Sequence, residues 1–205
     1  MKLKVQKVER KITELDIRPV KSPTELVQYV KLQKEIFDRD FLRHCDSEKS
    51  AYIDSLVKEG KILHLIWGDR EAIGVFALFD SVELGKDTQK YQYLSSFGFK
   101  ADYRYMGFGK AVLSHLIASN PRLCLHSTSE IKAKYYSKAG FHKISYIPAD
   151  SKWDYDDYVL SLVPDILENT GLKAKELSEW LYDYAEFSKD LLRYNRVKFC
   201  EILES

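Results

Sequence analysis

Between residues 24 and 58 apolar side chains recur at roughly helical spacing in two runs: Leu26, Val27, Val30, Ile36 and Phe37 in one, Tyr52, Ile53, Leu56 and Val57 in the next. That spacing gathers them on one helical face and predicts two helices. Ser22-Pro23 opens the first as cap and first-turn proline, and Gly60 closes the second, Ser47 to Lys58. On either side the period shortens. Ile12 to Arg18 reads as a short strand broken by Pro19 to Pro23. Ile62 to Trp67 and Ala72 to Phe79, joined by Gly68-Asp69-Arg70-Glu71, read as a hairpin. The charged stretch Asp80 to Lys90 is expected to be an exposed connection, and Tyr91 to Lys100, aromatic and alternating, a further strand.

Val112, Leu113, Leu116 and Ile117 then mark a helix stopped by Asn120-Pro121, followed by a strand at Leu123 to His126. Ser129 to Ala139 is helical and ended by Gly140; Phe141 to Ile147 and Tyr158 to Val163 are strands. This order predicts an α/β chain with a mixed, mostly antiparallel twisted sheet flanked by helices. Past Pro164, the residues Leu177, Trp180, Leu181, Tyr184, Phe187, Leu191 and Tyr194 form an apolar stripe with charges between, the mark of one long helix. The stripe either packs on its own domain or meets a second subunit or the substrate cleft, so a homodimer is one of the alternatives. We expect one domain over residues 1–163 and a helical extension over 164–205.

Composition narrows the class of function. In 205 residues, 45% are hydrophobic and 31% charged, as in a water-soluble globular protein. Lys and Arg number 32 against 31 Asp and Glu, a formal charge of +1, so no overall field favours nucleic acid or an anionic membrane. Met1 to Lys11 alternates Lys with Val and Leu and does not read as a leader; no segment approaches the roughly 20 apolar residues of a membrane helix. A cytoplasmic protein without a membrane or nucleic-acid partner is expected. Cys45, Cys124 and Cys200 form no disulfide framework and no zinc pattern, and no metal site is expected.

The informative junction lies between the strand ending near Lys100 and the helix after it. Gly107-Phe108-Gly109 is by itself a weak signal, since such turns also serve backbone needs alone. Its chemistry is nevertheless specific. Gly107 and Gly109 let a pyrophosphate approach the main chain, the first amides of the following helix point towards it, and Arg104 and Lys110 add charge at the edges. The sequence lacks the Gly-Lys-Ser/Thr of a P-loop and the third glycine of a dinucleotide fingerprint.

The stretch Phe99 to Lys110, with Arg104-Tyr105-Met106-Gly107-Phe108-Gly109 at its centre, resembles the coenzyme A turn of the GCN5-related N-acetyltransferases. Ser129 to Phe141, ending in Tyr136-Ser137-Lys138-Ala139-Gly140-Phe141, resembles the family's next motif, and the element order from Ile12 to Val163 is similar to its layout. The resemblance implies the acyl-CoA N-acyltransferase fold, with an extra C-terminal helix outside it. It also implies an N-acetyltransferase that moves an acetyl group from acetyl-CoA to a small-molecule or peptide amine by direct attack in a ternary complex. On that reading the pantetheine arm lies beside Phe97, Gly98 and Phe99, and an amide of that strand serves the oxyanion. The turn residues Arg104, Tyr105, Met106, Gly107, Phe108, Gly109 and Lys110 hold the pyrophosphate. Ser129 bonds the pantetheine or caps its helix, and Tyr136 protonates the departing thiolate.

The pattern departs from the family at the general base. Ser95, Ser96 and Cys124 stand where a glutamate is common. His126, on the same strand face as Cys124, is a candidate base acting directly or through water, and Glu83 a lesser one. The missing carboxylate also supports an alternative, a non-catalytic coenzyme A-binding sensor on the same fold. The acidic stretch Asp150 to Asp157 reads either as a solvated loop, the simpler view, or as an attractor for a cationic amine.

Overall fold

The computed structural model describes residues 2–4, 14–37, 63–148, 156–179 and 181. The helix expected over Ser47 to Lys58 lies outside them, as do Trp180, Tyr184, Phe187, Leu191 and Tyr194 of the C-terminal stripe. The elements are β1 (Lys2–Lys4), β2 (Glu14–Pro19), α1 (Pro23–Phe37), β3 (Leu63–Gly68), β4 (Glu71–Leu84), β5 (Asp87–Phe99), a 3₁₀ turn (Ala101–Tyr103), α2 (Phe108–Ser119), β6 (Leu123–Ser127), α3 (Glu130–Lys138), β7 (His142–Ile147), β8 (Asp157–Ser161) and α4 (Ile166–Thr170). The result is a mixed, mostly antiparallel sheet with helices, as expected from the sequence. The described residues fall into two compact units: one holds those up to Leu78 and Ser96–Val112, the other Phe79–Ser95 and those from Leu113 onward.

In the first unit the strands run β1-β2-β3-β4. β2 pairs antiparallel with β3 through Ile17 and Ile66, and β3 with β4 through Leu65 and Val75. The alternation of Leu15 and Ile17 on β2 buries both, as a half-covered strand requires. β1 was not legible in the sequence: three residues are too few to show a period, and the strand exists by pairing Lys2 with Asp16. α1 begins with a reciprocal cap. Glu25 Oε2 accepts from the Lys21 and Ser22 amides at 2.9 and 3.0 Å, while Ser22 Oγ accepts from the Glu25 amide at 3.3 Å. Leu26, Tyr29, Leu32, Gln33 and Ile36 form its buried face.

In the second unit the order is β4-β5-β6-β8-β7. β5 and β6 are parallel, with Tyr93 beside Cys124, because α2 carries the chain back before β6 begins. β8 lies between β6 and β7 and is antiparallel to both, opposing Val159 to His126 and to Ser145. Every residue of β8 is buried. The segment after Pro164 contributes Ile166, Leu177 and Leu181 to this unit's interior. α4 ends at Gly171, which adopts φ +70°, and residues 174–179 are again helical.

The expected exposed connection from Asp80 to Lys90 is corrected. β4 runs on to Leu84 and β5 starts at Asp87, so only Gly85-Lys86 lies at the tip. Leu84 is fully buried. The charges misled because a long hairpin carries polar residues on its open positions. One of them is neutralised: Asp87 pairs with Arg122 and accepts from the Tyr91 hydroxyl at 2.8 Å. At the tip Gly85 takes φ +56°, with no room for a side chain against the Thr170 carbonyl, and the Lys86 amide donates to that carbonyl at 2.9 Å. No helix among the described residues is long and apolar enough to cross a membrane.

Candidate active site

Two groups of residues carry the predicted chemistry, one in each unit. In the first, β5 leaves regular geometry at Ser96, whose φ of +54° is rare for a residue with a side chain. Gln33 of α1 donates to Ser96 Oγ at 3.3 Å. Phe97, Gly98 and Phe99 follow. Gly98 is crowded on its free side: a β-carbon there would fall 2.6 Å from Ile36 Cγ2 and 2.8 Å from Phe37 Cζ. The end of α1 therefore presses directly on this strand.

After the 3₁₀ turn the chain bends through Tyr105, at φ +61°, and Gly107, at φ +81°. Gly107 has open space where a β-carbon would go, so its glycine is required by conformation. The Ala111 amide makes an i to i−4 bond to Gly107 at 3.0 Å. The amides of Phe108, Gly109 and Lys110 stand before that bond and are those a helix start leaves for an outside acceptor. No acidic residue occupies the first turn of α2 to compete for them. Tyr105 projects fully into solvent, while Phe108 is buried and anchors the helix start.

Arg104 behaves differently from a free cation at the edge of the turn. Its Nε donates to the Phe99 carbonyl at 3.1 Å and its Nη2 to the Ile36 carbonyl at 3.0 Å. Tyr103 bonds Glu71, and Lys100 pairs with the same carboxylate at 3.0 Å. Sequence reasoning missed Gln33 and Ile36 as supports of this region, because one acts through a bond to a distant serine and the other through its main chain.

In the second unit, Ser129 stands at the start of α3 with extended geometry, but its side chain makes no capping bond. Its carbonyl accepts from Ser127 Oγ at 3.0 Å and from the Ala133 amide at 2.9 Å. Tyr136 lies edge-on to Phe141, ring centres 5.9 Å apart, and to Tyr135 at 5.5 Å. Gly140, at φ +110°, makes the reversal that brings Phe141 back, and the Phe141 amide donates to the Tyr136 carbonyl at 3.2 Å. Burial pushes the Tyr136 phenol well above the ordinary tyrosine range, with a smaller contribution from neighbouring Tyr135. It is therefore a protonated donor at neutral pH.

Cys124 is fully buried, bonds Ser161 Oγ at 3.4 Å, and is pushed up to about 12 by burial. It is neither base nor nucleophile. His126, two residues on, is shielded from solvent, with Nδ1 3.1 Å from Asp157 Oδ1 and the Tyr93 ring edge-on at 5.8 Å. The solvated-loop reading of the acidic stretch fails at its last member: Asp157 opens β8 and is buried, with Ser178 donating to Oδ2 at 2.9 Å. A burial partner on another strand and a serine past Pro164 leave no local signal that separates Asp157 from its exposed neighbours. Trp153 and Tyr155 lie outside the described residues, as does the Glu83 side chain.

The arrangement of strands and helices is shared with solved structures. Arabidopsis thaliana Naa50, in complex with the bisubstrate analogue CoA-Ac-MVNAL, matches with a TM-score of 0.53 at 20% identity, over 72% of this chain and 97% of that one. The chain has the fold of the GCN5-related N-acetyltransferases. A structure from Corynebacterium glutamicum, described as histone acetyltransferase HPA2 and related acetyltransferase, matches at 0.52 and 19% identity, over 73% and 96% of the two chains. The ribosomal-protein-S18-alanine N-acetyltransferase of Escherichia coli matches at 0.51 and 13%, over 72% and 92%. No protein-family model and no curated protein matches the sequence.

Proposed function

We propose that the chain is an acetyltransferase that uses acetyl-CoA to acetylate a primary amine in a ternary complex. The observation that carries this reading is the start of α2. Gly107 turns the chain at φ +81°, and three amides precede the first helical bond in a turn with no acidic residue. Such a terminus suits a pyrophosphate. The bisubstrate analogue in the similar plant structure supports the same cofactor class. Phe97, Gly98 and Phe99 would pair with the pantetheine arm, the amides from Tyr105 to Lys110 would hold the pyrophosphate, and Ser129 would bond the arm. Arg104 would act by fixing the turn, since its guanidinium serves two carbonyls.

In the reaction, the acceptor ammonium gives one proton to His126 Nε2, directly or through one water. The freed amine bonds to the thioester carbonyl carbon and the carbon–sulfur bond breaks. Tyr136 protonates the leaving thiolate, and the second proton released from nitrogen as the amide forms restores the phenol. A small-molecule or peptide amine is the proposed acceptor, in a cytoplasmic setting.

The absence of a carboxylate at Ser95, Ser96 and Cys124 favours a second reading, a coenzyme A sensor without chemistry. Calorimetric titration of the coenzyme-free protein with acetyl-CoA, dephospho-coenzyme A and adenosine diphosphate tests the shared premise. Binding that depends on the pantetheine arm is expected, followed by turnover in an amine screen. No binding by folded protein rejects both readings, and binding with no turnover on any amine selects the sensor.

A further inference from the structure

The interior of the second unit contains two buried polar atoms without a hydrogen-bond partner, on neighbouring residues. His126 Nε2 and Asp157 Oδ1 are both shielded from solvent and accept or donate no aligned hydrogen bond. The two side chains are each about 10% exposed, and Nδ1 approaches Oδ1 to 3.1 Å. That contact is one of proximity between a ring nitrogen and a carboxylate oxygen. The other carboxylate oxygen is already fixed by Ser178 at 2.9 Å.

A histidine kept only for packing normally satisfies both nitrogens, because a buried polar atom without a partner forfeits its hydration. Here one nitrogen is drawn to a carboxylate and the opposite one is left bare. The tautomer of an imidazole follows the partner of its other nitrogen. With Asp157 on the Nδ1 side, a proton held there would leave the Nε2 lone pair free to accept. Among the described residues, the titratable side chains in contact with the ring are Asp157 from β8 and Tyr93 from β5, whose ring lies edge-on at 5.8 Å. Cys124 on the same strand is occupied with Ser161.

We propose that Asp157, braced by Ser178, is a positioning residue that sets the tautomer of His126 and stabilises the imidazolium formed when Nε2 takes the ammonium proton. This rests on the acetyl-transfer reading above for the identity of the proton donor. The step breaks an ammonium N–H bond and forms an Nε2–H bond; the positive charge moves to the ring beside the carboxylate, and the proton leaves to solvent before the next turnover. The serine belongs to the segment after Pro164, so that segment reaches the chemistry as well as the core.

The test uses the full chain with its histidines labelled with ¹⁵N. In wild type the neutral His126 ring is expected as the Nδ1–H form, with Nε2 unprotonated. Asp157→Asn, folded by its amide spectrum, should shift the ring towards the Nε2–H form; Ser178→Ala should move it in the same direction by less. In turnover, Asp157→Asn should lower kcat by about tenfold with KM for acetyl-CoA unchanged. Asp157→Glu should recover part of the loss. An unchanged tautomer in folded Asp157→Asn overturns the proposal. The expected ring shifts together with no wild-type turnover on any amine would support the positioning role and reject the acetyl-transfer reading instead.

Discussion

Arg104 Nη2 donates to the main-chain oxygen of Ile36 at 3.0 Å, tying the bend after β5 to the last turn of α1. Its Nε takes the Phe99 carbonyl at the same time. A guanidinium forks between two such acceptors where a lysine ammonium cannot. Arg104→Ala should therefore destabilise the protein by about 1.5–3 kcal/mol, the range for hydrogen bonds to a charged group, measured by denaturant unfolding. Arg104→Lys should recover little of it. Unchanged stability with a large loss of acetyl-CoA affinity would show that the residue contacts the ligand instead.

The two glycines of the turn should fail in different ways. Gly107→Ala meets open space, so the cost is the left-handed backbone alone, about 1–2 kcal/mol in unfolding. Gly109→Val adds bulk among the amides of the helix start and should abolish acetyl-CoA binding in calorimetry. Normal binding by Gly109→Val would make the turn structural.

Much of this framework was legible before the structure because its causes are local. The spacing of Leu26 and Ile36 marks α1, and Ser22 with Pro23 marks its start. The strand and glycine order around Phe99 to Gly109 gave the fold. What escaped depends on partners that sequence proximity does not reveal. Asp156 and Asp157 are adjacent and chemically identical. Yet Asp156 accepts from the exposed Tyr146 hydroxyl at 3.1 Å, while Asp157 is buried beside His126. The role of Arg104 is equally silent, since the Ile36 carbonyl is common to every residue type. Asp80 to Lys90 read as a loop because charge was taken for exposure of the backbone, whereas ladder pairing constrains only the backbone.

Tyr136→Phe removes the proposed proton donor without changing ring packing against Phe141. Turnover should fall by about a hundredfold or more, with acetyl-CoA affinity nearly intact. The phenol is held above the ordinary tyrosine range, so its protonated, competent form persists as pH rises and is lost only above that range. A wild-type kcat profile should then show no decline assignable to Tyr136 below about pH 10. Full activity in Tyr136→Phe would take the residue out of the mechanism.

His126→Gln keeps a polar side chain but cannot hold a transferable proton. Under saturating acetyl-CoA it should lower kcat by about a hundredfold, and an amine with a low intrinsic basicity, already neutral at the assay pH, should suffer less. An equal loss on both amines would argue for a structural histidine.

Cys124 offers a check on the second unit's interior. With its thiol fully buried and pushed up to about 12, it should resist thiol reagents in native protein in which Cys45 and Cys200 are replaced by serine. Labelling should appear only with unfolding, so its rate reports opening of β6. Rapid labelling under native conditions would mean that this strand is more accessible than its packing indicates.

The hairpin tip has a consequence for how this sequence can drift. Gly85 lies so close to the Thr170 carbonyl that no side chain fits, and the neighbouring Lys86 amide bonds that same oxygen at 2.9 Å. Position 85 and the path of the chain at 170 are thus a single inherited unit. In any relative where the glycine has been replaced, the segment following the last strand must take another course.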